Sequence, residues 1–373
     1  MKREDNNVKA FFALLRAGLW ETDLQLLPFG EIDFAEIYRL AEEQSVIGLI
    51  AAGLNHVVDT KIPKQELLQF IGATLQQEEQ NKAMNYFIGV LVDKMRKSGI
   101  YTLLVKGQGV ALCYERPLWR SSGDVDFYLS EENFQKAKRF FKPLVTSFDP
   151  DNDYSKHINM CYDPWVVEIH ANQHCGLSSR IDRILDGIHN DIFCGGSVRS
   201  CDIGGTQVFL PSVNNDILIV FTHFLNHFYR GGLGVRQICD WSRLLWTYKN
   251  SINLQLLKDR LHSMGLQTEW KAFGAFAVEY LGMPKDEMPF FEGTKRFKRK
   301  ADRIKGFVLE VGNFGHNRDT SYYGNHSLIV RKAISFGRRC KDLVHHSAIF
   351  PLDSIRFLIG RTCKGLRSFA HGE

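Results

Sequence analysis

Residues 100 to 171 carry short apolar runs of strand type, whereas both flanks recur apolar at three- and four-residue spacing. No other feature restricts the possible folds as much. Upstream, VKAFFALLRAGL, FAEIYRLAEEQSVIGLIAAGLNHV and a long segment from Lys64 to Ser98 read as amphipathic helices. In the last of these, Leu67, Leu68, Phe70, Ile71, Leu75, Phe87, Ile88, Leu91 and Val92 mark the expected buried stripe, and Gly99 the stop. The island itself runs strand (YTLLVKG, 101–107), short helix (GVALCYE, 109–115), strand (DVDFYLS), then a helix over 130–144 opened by Ser130. Two more strands, HINMCYD and WVVEIHA, flank Asp163-Pro164, which predicts an antiparallel hairpin. Helices dominate again after 178, interrupted by a short hairpin expected at 195–211.

The expected fold is therefore α+β, with a small mixed sheet and helices packed against it. The expected division is a helical region at 1–99, a sheet-bearing core at 100–175, a helical region at 176–294 and a basic helical region at 295–373.

RSSGDVDFYLS, residues 120–130, poses the chemical question. Asp124 and Asp126 flank one valine, so on a strand they share a face, about 7 Å apart at the backbone. Two carboxylates aimed at one spot repel each other. They are either edge residues facing water or ligands of a cation. In WVVEIHA, alternation puts Val166, Glu168 and His170 on one face, and an acid in an otherwise apolar strand needs a partner. If the two strands are neighbours, Glu168 joins the aspartates. Three hard oxygen donors would then suit Mg²⁺ or Mn²⁺, which in turn recruit phosphates.

The ordered set LVKGQGVALCY, RSSGDVDFYL and VVEIH resembles the nucleotidyltransferase superfamily. More narrowly, it is similar to a poorly characterised bacterial branch with Lys-Gly, Arg-x-x-Gly-Asp-x-Asp and acid-x-His motifs. The helical lead-in and the later GVRQICDW segment extend the similarity over most of residues 10 to 250. The resemblance implies a nucleotidyltransferase-fold core (DNA polymerase beta-like). It also implies Mg²⁺-dependent transfer of a nucleoside monophosphate from a nucleoside triphosphate to an acceptor hydroxyl, with release of pyrophosphate. Asp124, Asp126 and Glu168 would hold the metal and carry catalysis, with helping to take the acceptor proton as the other role open to Glu168. Lys106, Gly107, Arg120, Ser122 and Gly123 would meet the phosphates, and His170, Arg236 and Asp240 the acceptor or nucleotide. The first motif departs from the common Gly-Ser pattern: it reads Lys-Gly-Gln-Gly, and Asp124 follows Gly107 by 17 positions. The alternative is a non-catalytic protein that binds nucleotide or a partner on the same fold.

Other motifs divide between plain and functional readings. His223 and His227, one helical turn apart, have the spacing of a metal pair, but with no adjacent acid they read as packing histidines. RGGLGVRQICDW is either an anion-binding helix start or a helix–helix loop with an Arg236–Asp240 ion pair. Eight cysteines without a C-x-x-C pair fit free thiols in a reducing cytoplasm. No secretory signal and no run long enough to span a bilayer are evident.

The net charge of +5 is uneven. Lys295–Glu373 holds 17 Lys/Arg against 6 Asp/Glu, a net of +11, so the rest is −6. The densest run, KRFKRKADRIK, is either a solvated helix face or a contact for a phosphate-rich partner such as RNA.

Overall fold

The computed structural model describes residues 5–149, 156–230, 232–318 and 328–357. Part of the expected C-terminal helical region lies outside these described residues.

Seven strands form one mixed sheet: β1 (Leu103–Val105), β2 (Asp124–Tyr128), β3 (Ser147–Phe148), β4 (His157–Tyr162), β5 (Trp165–His170), β6 (Val198–Ile203) and β7 (Thr206–Pro211). Their order is β3-β4-β5-β2-β1-β7-β6. β2 and β5 pair in parallel, with Asp126 opposite Glu168, while β1 and β2 are antiparallel. The hairpin about Asp163-Pro164 forms as its turn chemistry suggests, and its register sets His157 opposite His170. The second hairpin, β6–β7, does not stand apart. Through β7 it pairs in parallel with β1, so the sheet takes in chain from beyond residue 175.

Alternation along β2 and β5 gives the sheet two different faces. Val125, Phe127, Val167 and Ile169 point one way, into a core closed by α4 (Lys64–Lys97) and α6 (Glu131–Phe141). Asp124, Asp126, Tyr128, Glu168 and His170 point the other way. That second face is covered by α7 (Ser179–Phe193), α8 (Val213–Arg230) and α9 (Val235–Thr247), which leave a cleft over the acids.

The long helix α4 ends as Gly99 takes a positive φ of 67°, with the Ile100 N–H reaching back to the Met95 carbonyl. Its buried stripe differs from the expected one. Phe70, Ile88, Leu91 and Val92 are buried, but Leu68, Ile71 and Leu75 are exposed. Extending the 3.6-residue phase of Ile88 and Met84 backwards reaches Asn81 and Thr74, and these polar residues face inward instead. They are satisfied there. Thr74 Oγ1 donates to the Phe70 carbonyl, and Asn81 Nδ2 donates to the carbonyls of Leu118 (2.7 Å) and Arg120 (2.9 Å). The inward polar residues thus tie α4 to the loop that leads into β2.

The basic run forms one helix, Lys295–Val311 (α12), whose Phe297, Ala301, Ile304, Phe307 and Val308 enter the helical core. Several of its cations are engaged within the chain. Lys298 pairs with Glu279 at 2.9 Å, and Lys300 and Arg303 donate to the carbonyls of Ile349 and Ala348. None of the helices is long and apolar enough to cross a membrane, among the described residues.

Candidate active site

The acids sit where strand alternation placed them. Asp126 is buried at the centre. Its Oδ1 accepts from Lys106 Nζ at 2.7 Å and from His170 Nε2 at 2.9 Å. Burial alone would raise its pKa; the Lys106 charge and the His170 hydrogen bond outweigh that and hold it below the usual carboxylate range. Glu168 Oε2 accepts from His157 Nε2 at 3.1 Å, with His170 Nε2 at 3.5 Å. Burial opposes ionisation here too, and the two imidazoles overcome it, so Glu168 is also held low. Asp124 differs. Its carboxylate has no hydrogen bond or ion pair among the described residues, and its pKa is raised by burial and by repulsion from Asp126 and Glu168.

Lys106 is held by an unusual backbone. It follows β1 with φ at +57°, and Gly107 follows at +31°, opening the short helix α5 (Gly107–Ala111). This tight reversal turns the lysine back over β2, onto Asp126.

The opposite wall is built by α9 and the loop before β2. Arg120, expected at the phosphates, is buried and bidentate to Asp240, with Nη2 2.6 Å from Oδ2 and Nε 3.0 Å from Oδ1. Tyr114 Oη donates to the same carboxylate at 2.8 Å. Arg120 Nη1 donates to Ser122 Oγ at 2.9 Å, which places Ser122 behind Arg120, while Gly123 is exposed and faces open space. Asp240 therefore pairs with Arg120, not with Arg236, and no i,i+4 pair forms. Arg236 is buried without a carboxylate partner. Nη1 donates to the Ser121 carbonyl at 2.7 Å, and Nε has no acceptor. Burial first, and then the neighbouring Arg120 charge, lowers its pKa.

The RGGLG segment opens a helix whose leading backbone donors are engaged within the chain. The Gly234 N–H donates to Gln237 Oε1 and the Val235 N–H to Gln44 Oε1, so these donors of α9 are already taken. Its glycines instead admit a neighbouring loop: a Cβ on Gly232 would lie 2.8 Å from the Phe314 carbonyl carbon, and one on Gly234 2.7 Å from Asn313 Cβ.

Lys106, Gly107, Arg120, Asp124, Asp126, Arg236 and Asp240 thus line one cleft, with Glu168 and His170 adjoining on β5. The cleft also contains residues the sequence reading missed or set aside. His157 is recoverable from the hairpin: folded at Asp163-Pro164, residue 157 falls opposite 170. Its imidazole stacks on that of His170 at 4.5 Å. His157, Glu168 and His170 form a group whose ligand atoms lie within 4.8 Å of one another. His223, read as a packing residue, lines the cleft beside Gln237 and Phe314. Phe314 is more than 70 residues distant in sequence from the helix it faces, and no local pattern points to it.

The residues fit a divalent cation. Among the described residues, nothing satisfies the Asp124 carboxylate, and Asp126 and Glu168 each have one oxygen committed. Such a donor set suits Mg²⁺ or Mn²⁺.

A mixed sheet with paired acids on β2, a third acid on its parallel neighbour and helices on both sides is the α+β architecture of the nucleotidyltransferase type. The family model described as "uncharacterised nucleotidyltransferase" matches residues 30–282, and the chain belongs to that family. No curated protein and no solved structure gives a match. Membership supports a transferase with a role in nucleotidyl transfer and a nucleoside triphosphate as substrate.

Proposed function

We propose that the protein moves a nucleoside monophosphate from a nucleoside triphosphate to an acceptor hydroxyl, with Mg²⁺ or Mn²⁺, releasing pyrophosphate. One observation carries this reading. Asp124 and Arg236 face each other across the cleft, each within the other's field, yet neither is paired. A half-buried carboxylate beside two other acids, and a buried guanidinium with no anion among the described residues, are both costly. A cation complexed to a polyphosphate relieves both at once, giving the acid a cation and the arginine an anion.

Asp124, Asp126 and Glu168 would hold the cation, which when bound supplies positive charge to the reacting phosphoryl oxygens. Lys106 and Arg236 bind the polyphosphate tail as charge-assisted donors. Arg120, committed to Asp240, keeps the loop before β2 in place. His170 and His157 orient the Glu168 carboxylate, and His170 also orients Asp126. With its pKa held low, Glu168 is a weak base, so it acts as a ligand more than as a proton acceptor. The acceptor oxygen attacks the α-phosphorus as the bond to the bridging oxygen breaks. Pyrophosphate leaves, and the hydroxyl proton passes to solvent.

The test is calorimetric binding of ATP, GTP, CTP and UTP, with and without Mg²⁺, to the wild type and to an Asp124→Asn/Asp126→Asn variant. Metal-dependent binding of a nucleotide, lost in the variant, is expected. Failure of the folded wild type to bind any of the four would remove the reading.

A second reading, a non-catalytic nucleotide- or partner-binding protein, draws on Lys106. Its ammonium already neutralises Asp126 without a metal, an arrangement a site that had lost its chemistry would favour. Metal-independent nucleotide binding would point that way.

A further inference from the structure

We propose that Phe314 is the platform on which the nucleobase of the bound nucleotide stacks, and that Gln237 offers the base or its sugar a donor beside it. The inference rests on the nucleotide-binding reading above and extends it to Gln237 and to Phe314, the latter beyond the family match, which ends at 282.

Phe314 lies in the loop Gly312-Asn313-Phe314-Gly315, directly after α12. Three of its four residues have positive φ: Gly312 (+74°), Phe314 (+50°) and Gly315 (+76°). Glycine adopts this region freely, whereas a phenylalanine there is strained and persists only where its surroundings hold it. The surroundings do so. Asn313 Nδ2 donates to Ser45 Oγ at 2.7 Å. The loop backbone is seated against Gly232, and the Asn313 side chain against Gly234, where no Cβ would fit. A loop pinned on both sides forces the ring outwards. It is 57% exposed, yet it lines the same cleft as Asp124, Asp126 and Lys106.

What surrounds the ring narrows the ligand. The edge of His227 meets it at 5.0 Å between centroids, and the Arg236 guanidinium lies 6.0 Å from its centre. His227 and His223 share a hydrogen bond at 3.0 Å between their Nε2 atoms, so at least one ring must be neutral to accept it. Burial lowers the pKa of both, His227 to about 4. The wall behind the platform is therefore uncharged at neutral pH and suits a flat, neutral ring. Two buried donors in this cleft lack acceptors among the described residues: Arg236 Nε and Gln237 Nε2, the latter on a residue only 6% exposed. A ligand reaching both must combine a polyphosphate, on the Arg236 side, with acceptor groups near a planar ring. A nucleoside triphosphate has that composition, and an aromatic face stacks any base.

The test compares Mg²⁺-dependent binding of the four nucleotides with that of inorganic tripolyphosphate, which carries no base. It uses the wild type and the Phe314→Leu, Phe314→Ala and Phe314→Tyr variants. Leucine keeps apolar bulk in the loop and removes the π-face. The expected result is a loss of about tenfold or more in nucleotide affinity for Phe314→Leu and Phe314→Ala, near-wild-type affinity for Phe314→Tyr, and unchanged tripolyphosphate binding throughout. Nucleotide affinity unchanged in the leucine and alanine variants would overturn the platform and leave the nucleotide reading intact. An equal fall in tripolyphosphate and nucleotide binding would also overturn it, because the ring would then act by holding Arg236. If the wild type bound neither ligand, the nucleotide reading would fail, and the platform with it.

Discussion

The two walls of the cleft reach charge balance differently. On the strand wall, three carboxylates meet one lysine and two histidines, and Asp124 is the acid left without a partner among the described residues. On the helix wall, Arg120 and Asp240 cancel, and the surplus is the positive charge of Arg236. Each wall thus contains satisfied groups, two acids on the strand wall and one ion pair on the helix wall, and one group without a charged partner among the described residues, which awaits a ligand. On the helix wall the comparison separates the residues that hold the site together, Arg120 and Asp240, from the one that meets the ligand, Arg236, although all three are buried and charged.

If that separation is right, removing half of a satisfied pair costs the most. Arg120→Ala leaves Asp240 buried without its cation and removes the donor to Ser122 Oγ, while the backbone carbonyls that Asn81 holds remain. A loss of about 3–5 kcal/mol in unfolding free energy is expected. A double Arg120→Met/Asp240→Leu variant, which removes both charges, should recover most of it. Urea titration of both variants gives the answer. A loss below about 1 kcal/mol for Arg120→Ala would mean the pair is not structural, and would return Arg120 to the phosphates.

The strand wall offers a finer contrast between two aspartates one residue apart. Asp126 has a lowered pKa, so its contribution to stability is present above its unfolded value and is lost as pH falls through the folded one. Asp124 has a raised pKa, so its contribution is present below the unfolded value and is lost as pH rises through the folded one. Without metal at pH 7, Asp126→Asn should therefore destabilise by about 2–3 kcal/mol, because Lys106 and His170 lose their anion. Asp124→Asn should be neutral or stabilising by about 1 kcal/mol. Thermal unfolding in EDTA at several pH values distinguishes the two. Equal effects would place the repulsion between them on neither residue.

The strand wall was largely legible in the sequence and the helix wall was not, for a physical reason. Strand alternation has period two, so Asp124 and Asp126 must share a face, and a turn at Asp163-Pro164 sets the register that follows. The sheet order then needed only one further fact, that β5 lies beside β2. On the helix wall, residue spacing misleads. Arg236 and Asp240 are one turn apart and read as an ion pair, but Asp240 is bound by Arg120, over a hundred residues away. The buried stripe of α4 shows the same limit: Asn81 faces inward on hydrogen bonds to the distant carbonyls of Leu118 and Arg120, and Thr74 does so on a bond within its own helix. Local pattern reports what a residue shares with its neighbours in the chain. It carries little about partners brought by tertiary packing.

Arg236→Met takes the comparison to the surplus charge of the helix wall. Arg236 has no anionic partner among the described residues, so relief of its buried charge should offset the lost bond to the Ser121 carbonyl, and stability should change by no more than about 1 kcal/mol in either direction. Affinity for nucleotide and for tripolyphosphate should fall together, by about tenfold or more. Calorimetry alongside urea unfolding shows whether the two effects separate. A variant that unfolds readily but binds normally would invert the roles assigned to Arg120 and Arg236.

The smallest effect is expected at His157, and it decides which atoms of the strand wall meet the metal. Its side chain is 40% exposed, and its bond to Glu168 is partly screened by solvent, so His157→Ala should cost less than about 1 kcal/mol of stability. Carboxylate oxygens suit Mg²⁺, whereas imidazole nitrogens suit Zn²⁺ and its neighbours. If the cation is held by Asp124, Asp126 and Glu168, His157→Ala leaves Mg²⁺-dependent nucleotide binding within a few-fold of wild type, because His170 still orients Glu168. If instead His157, Glu168 and His170 are the ligands, the wild type should bind Zn²⁺ in the absence of nucleotide, and the substitution should cost at least about tenfold in that affinity. Metal titration of wild type and variant with each ion therefore chooses between a phosphate-recruiting carboxylate site and a histidine-bound transition metal beside it.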